Sequence, residues 1–157
     1  MADETRDEEG ALFHAVHEIF SERIPFNKLL GIHIDSMSFE SARVRFDFRE
    51  ELVGTFLRAS LHGGVVSAVL DLTGGLVAFL SAAKNATGSS HQEKLEKLAN
   101  VGTIDMRVDY LRPGTGRHFL SSAYLLRSGN KVAVTRMELH NDEDSLIAVG
   151  TAAYLVG

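Results

Sequence analysis

The chain has no cysteine among its 157 residues, so any chemistry must come from His, Asp, Glu, Ser, Thr or the backbone. Two features qualify. One is the turn His62-Gly63-Gly64, which opens a long apolar run. If that run is helical, the unpaired N–H groups of its first turn and the positive end of its dipole lie at the two glycines. Such a place suits a developing oxyanion, although a plain loop-to-helix junction uses glycines in the same way. The other feature is Asp71, set between Leu70 and Leu72, with no basic residue between His62 and Lys84 to pair with it. An unpaired carboxylate in an apolar segment faces solvent or a partner, or it works as a catalytic carboxylate.

Asp71 lies seven residues beyond Gly64, about 10 Å up a helix at ~1.5 Å per residue. It cannot reach the N-terminus of its own helix. Two identical helices running antiparallel across a two-fold axis bring each Asp71 near the other N-terminus, which makes two shared sites per dimer. At 100° per residue, Gly64, Ser67, Ala68, Asp71, Gly74, Gly75 and Ala78 separate from the bulky Val65, Val69, Leu72, Leu76 and Phe79. The bulky stripe is expected to pack into a curved sheet. Gly74 and Gly75 together cost a helix about 2 kcal/mol relative to alanine, so something must approach that backbone closely. A second chain and the protein's own N-terminal helix are the two candidates.

Other chemistries find less support. His14, His17, His33, His91, His118 and His140 form no His-x-His or His-x-x-x-His pair, so no metal site is expected. There is no Gly-x-Ser-x-Gly elbow and no phosphate-binding loop. A net charge of −5 argues against a nucleic-acid partner. The acidic N-terminus lacks the basic and apolar regions of a signal peptide, which points to the cytoplasm. Leu61 to Ala83 is long enough to suggest a membrane helix, but Asp71 near its centre makes a buried core helix the better expectation.

The elements that must position these residues follow from periodicity. With 45% hydrophobic residues, the chain has the size and composition of one domain. Residues 1–10 read as a solvated tail, and Ala11 to Arg23 as a short amphipathic helix stopped by Pro25. Residues 1–24 are thus an N-terminal tail and helix, and 25–157 the main domain. Ile32, Ile34 and Ser36 alternate with His33, Asp35 and Met37, and Val44, Phe46 and Phe48 with Arg43, Arg45 and Asp47, predicting a hairpin around Glu40. The long helix is expected from Leu61 to Leu80. A polar, mobile excursion follows from Lys84 to Asn100, with a short helix at Gln92 to Leu98. Ile104, Met106, Val108 and Tyr110 then share one strand face, and three more strands run over His118 to Arg127, Lys131 to Asn141 and Leu146 to Val156. This order suits an α+β fold with helices on one face of an antiparallel sheet.

LHGGVVSAVLDLTGG (Leu61 to Gly75) and DMRVDYLRPG (Asp105 to Gly114) resemble the hotdog-fold acyl-CoA thioesterases, in particular the phenylacetyl-CoA thioesterase and medium-chain or broad-specificity bacterial subgroup. The resemblance covers roughly residues 25–157. It implies a six-stranded antiparallel sheet wrapped around the central helix, a homodimer or homotetramer with shared sites, and hydrolysis of acyl-CoA with no metal and no cofactor beyond the coenzyme A of the substrate. By resemblance, Asp71 is the general base or nucleophile, and His62 with the Gly64 N–H orients and polarises the thioester carbonyl. Thr103 falls where relatives carry a Ser or Thr that positions water. The family's Asn six or seven residues before the turn is replaced by Phe56 and Thr55, of which Thr55 is the candidate substitute. Gly63 belongs to the carbonyl site, and Arg112 beside Pro113, with Asn130-Lys131, could clamp the phosphates of coenzyme A.

The leading expectation is therefore an acyl-CoA thioesterase. The runner-up is a non-catalytic acyl-CoA or lipid-binding module that uses the same groove. A hotdog hydratase would need a His and carboxylate pair acting at the β-carbon, which the sequence does not offer.

Overall fold

The computed structural model describes residues 2–86 and 90–157. Helix α1 (Ala2–Glu18) passes into one turn of π-helix (Ile19–Arg23), and α2 (Pro25–Leu30) follows directly. Residues 2–10 are therefore the first part of α1 and not an irregular tail. Pro25 occupies the first turn of α2, where its missing N–H costs nothing, so it starts one helix as it ends another. Leu12, Val16 and Phe20 from this segment are buried in the same core as the sheet.

Strands β1 (His33–Met37) and β2 (Ser41–Asp47) form the expected hairpin, and a small ribbon of β3 (Val53–Thr55) and β4 (Ser60–Leu61) leads into α3 (Gly63–Asn85). After α4 (His91–Glu96) and a 3-10 turn (Lys97–Asn100) come β5 (Gly102–Tyr110), β6 (His118–Ser128), β7 (Val132–Asn141) and β8 (Leu146–Leu155). Six strands make one antiparallel sheet in the order β1-β2-β6-β7-β8-β5. This is the hotdog arrangement. The α3 helix extends five residues past its expected end, and α4 lies close to the short helix expected there. Gly88 and Ser89 of the polar excursion lie outside the described residues.

Alternation explains β2, where Ala42, Val44 and Phe46 are buried and Arg43, Arg45 and Asp47 exposed. In β1 the expected phase fails. Ile34 pairs with Val44 and Ser36 with Arg43, so a bulge at Asp35 turns Ile34 and Met37 inward and leaves Ser36 outside. The sheet wraps α3 over more than one stripe: Val66, Leu70, Val77 and Leu80 are buried alongside Val69, Leu76 and Phe79, whereas Val65 and Leu72 are only half-buried. Although α3 is long and apolar enough to cross a bilayer, it is the core helix of this fold.

Candidate active site

His62 is the N-cap of α3, in extended backbone, and its Nδ1 accepts the Gly64 N–H at 2.8 Å. A neutral imidazole that accepts at Nδ1 carries its proton on Nε2. The Gly64 N–H expected to face an oxyanion is thus taken by the cap. At this turn the imidazole Nε2–H remains as a donor, with the Gly63 N–H at the first helical position.

Three neighbours brace the turn. The His62 N–H donates to the Leu52 carbonyl (2.8 Å), the Leu61 N–H to Gly114 (2.9 Å), and the Tyr110 hydroxyl to the Gly63 carbonyl (3.1 Å). The first brace needs Gly54, since a Cβ there would stand 2.5 Å from the His62 Cα. The contact is with backbone, so no rotamer relieves it. Gly54→Ala is expected to destabilise the protein by about 1–3 kcal/mol, seen as a Tm lowered by several degrees with a parallel loss of activity. An unchanged Tm would show that the ribbon gives way at no cost.

Asp71 stands halfway along α3 at the wall of a cavity of about 380 Å³. Leu72, Gly75 and Phe79 continue that wall along the helix, and Ile19, Phe20 and Ile24 close it from the N-terminal segment. Ala99 and Val101, just ahead of β5, complete an apolar lining. The π-turn that carries Ile19 and Phe20 is held by buried Asn27, whose Nδ2 donates to the Phe20 carbonyl at 3.0 Å.

Two hydroxyls converge on the carboxylate. Thr103 Oγ1 donates to Asp71 Oδ1 at 2.9 Å, and the Tyr154 hydroxyl reaches the same Oδ1 at 3.2 Å and the Asp71 backbone carbonyl at 2.9 Å. Strict alternation in β5 would put Thr103 on the face opposite Met106. Instead Thr103 pairs with Tyr154 and Asp105 with Ala153, so a bulge at Ile104 returns Thr103 to the inner face and leaves Ile104 exposed. Burial raises the Tyr154 ionisation well above the usual phenol range, with the nearby Asp71 charge as the second cause. The phenol therefore stays a donor.

The model of the thioesterase superfamily matches residues 59–148, more than half of the chain, including the His-Gly-Gly turn, Asp71 and Thr103. The chain belongs to the thioesterase superfamily. The medium/long-chain acyl-CoA thioesterase YigI of Escherichia coli K12 is 44% identical over 142 residues, 90% of this chain and 92% of that protein. A protein from Shewanella oneidensis related to the thioesterase superfamily has a structure matching at TM-score 0.89 and 41% identity, over 96% of this chain and 97% of that one. The Escherichia coli PaaI protein, 19% identical, shares the fold at TM-score 0.73 over 96% and 94% of the two chains.

In this thioesterase the other residues singled out from the sequence fall in three places. Arg112, Pro113 and Gly114 lie beside the His-Gly-Gly turn, where Arg112 Nη1 donates to the Leu146 carbonyl at 2.9 Å. Thr55 is exposed at the end of β3, and its carbonyl accepts from the Arg58 N–H. Asn130 and Lys131 sit in the β6–β7 turn, with Asn130 beside Asn85 at the far end of α3, remote from Asp71 within one chain. Among the described residues there is no cluster of three or more His, Asp or Glu that could hold a metal.

Of the glycine pair, Gly74 meets close neighbours within its own chain. Gly74 is fully buried, and a Cβ on it would stand 2.5 Å from the Tyr154 hydroxyl and 2.7 Å from Thr135 Oγ1. A Cβ on Gly75 would meet Tyr154 Cε1 at 3.4 Å. At Gly74 the close approach is made by β7 and β8 of the same chain. Tyr154 is the site residue that sequence reasoning missed. Its one signal was a polar-tipped side chain two residues from buried Ala152 on an inward-facing strand phase.

Proposed function

We propose that this protein hydrolyses acyl-CoA thioesters to the free acid and coenzyme A, with medium to long acyl chains as its substrates. The observation that carries the reading is Asp71, held by hydrogen bonds at the wall of an apolar cavity. The 44% identity to a medium/long-chain acyl-CoA thioesterase supports the substrate class. In the proposed reaction Asp71 takes a proton from water as the water oxygen attacks the thioester carbonyl. The tetrahedral oxyanion is met by the His62 Nε2–H and the first turn of α3 of a partner subunit. Collapse breaks the C–S bond, and the departing coenzyme A sulfur takes up the proton that Asp71 received.

The shared site needs a homodimer. Gly102 and Thr103 of edge strand β5 border the cavity, so a second copy pairing along β5 comes up against the Asp71 pocket. Arg112, Asn130 and Lys131 are the cations and donors proposed for the coenzyme A phosphates.

Thiol release from short, medium, long and aromatic acyl-CoAs tests the reading. Binding without turnover across the panel would instead make this a binding module. Within the panel, Val101→Phe narrows the cavity and is expected to lower kcat/KM for the longest chains about tenfold while sparing short ones. A uniform loss across chain lengths would place the acyl chain elsewhere.

A further inference from the structure

Tyr154 lies 83 residues beyond Asp71 in the sequence and has no role in the hydrolysis proposed above, yet the residue is 1% exposed and its hydroxyl points at Asp71. It reaches both the backbone carbonyl and Oδ1 of that residue, at 2.9 and 3.2 Å. Thr103 Oγ1 comes to the same Oδ1 at 2.9 Å from the neighbouring strand. Gly74 makes room for the ring, since a Cβ there would stand 2.5 Å from the hydroxyl, whereas one on Gly75 would meet the ring at an ordinary 3.4 Å. The helix thus carries Gly74 at its centre where the phenol, Thr135 and Met137 crowd its backbone.

We propose that Tyr154 is a positioning residue: with Thr103 it holds Asp71 Oδ1, which leaves Oδ2 as the oxygen that takes the proton from water. A carboxylate that turns freely about its terminal torsion offers either oxygen in many directions. Donors from two adjacent strands restrict it to one, and a base that is already aligned loses less on reaching the transition state. The one hydroxyl proton is shared in a three-centre bond between the Asp71 carbonyl and Oδ1, which keeps the ring against the helix as the side chain works. This inference rests on Asp71 being the catalytic carboxylate.

Tyr154→Phe removes one oxygen atom and keeps the ring. It is expected to lower kcat about tenfold or more with little change in KM, while circular dichroism and the melting curve report a folded chain. In an Asp71→Asn background the same change is expected to cost nothing further, because there is no carboxylate left to align. Thr103→Ser, which keeps the donor, should retain activity that Thr103→Val loses. These Thr103 variants decide the matter if Tyr154→Phe does not fold. Positioning is overturned if kcat is unchanged in Tyr154→Phe, if its loss is as large in the Asp71→Asn background, or if Thr103→Val matches the parent. Full activity of Asp71→Asn alone would instead overturn the catalytic reading of Asp71.

Discussion

Asp71→Asn is expected to leave the fold intact and to lower kcat at least about 10²-fold, the scale for loss of a general base. The substitution is close to isosteric at a half-buried position. The amide oxygen can still accept from Thr103 and Tyr154, so the hydrogen bonds at Oδ1 survive. What is lost is the capacity to take a proton. An amide does not serve as a base at neutral pH, and among the described residues no other carboxylate lines the cavity to replace it. Thiol release from the best acyl-CoA substrate measures the effect. A rate near the parental one would remove Asp71 from the mechanism.

Mixing two inactive variants should restore activity. Gly64→Val places a branched side chain where even a Cβ would stand 2.9 Å from His62 Nδ1, so it breaks the cap and obstructs the proposed carbonyl site. Asp71→Asn disables the other half. If each site takes Asp71 from one chain and the His62 turn from its partner, a heterodimer has one intact site and one doubly damaged site. Free exchange of equal amounts then restores about a quarter of the sites. The physical ground is distance: Asp71 is about 10 Å along α3 from Gly64, too far for a single thioester carbonyl to meet both in one chain. No recovered activity after verified subunit exchange would count against the shared site. Circular dichroism of each parent must show a folded protein.

Local spacing made the first half of this site legible. A His-Gly-Gly turn ahead of an apolar run and a lone Asp seven residues on are features of one helix, where neighbours in sequence are neighbours in space, and α3 places both as expected. Alternation in β2 and the hairpin around Glu40 were readable for the same reason. The sequence also showed that Gly74 and Gly75 must admit something, because their helix cost is local.

What Gly74 admits was decided by the tertiary structure. Tyr154 meets Asp71 across 83 residues, and Thr103 faces it only because a bulge at Ile104 shifts the register of β5 against β8. Side chains alternate with a period of two, so one extra residue moves every later side chain to the opposite face, and no count along the strand reveals where that residue is inserted. The same holds at Asp35 in β1. Likewise the Gly64 N–H is spent on His62, a choice made by the imidazole rotamer. The sequence by itself determined which groups can do chemistry here. Packing of the sheet around α3 decided which of them meet, because contacts between distant strands depend on register, which is a property of the assembled sheet.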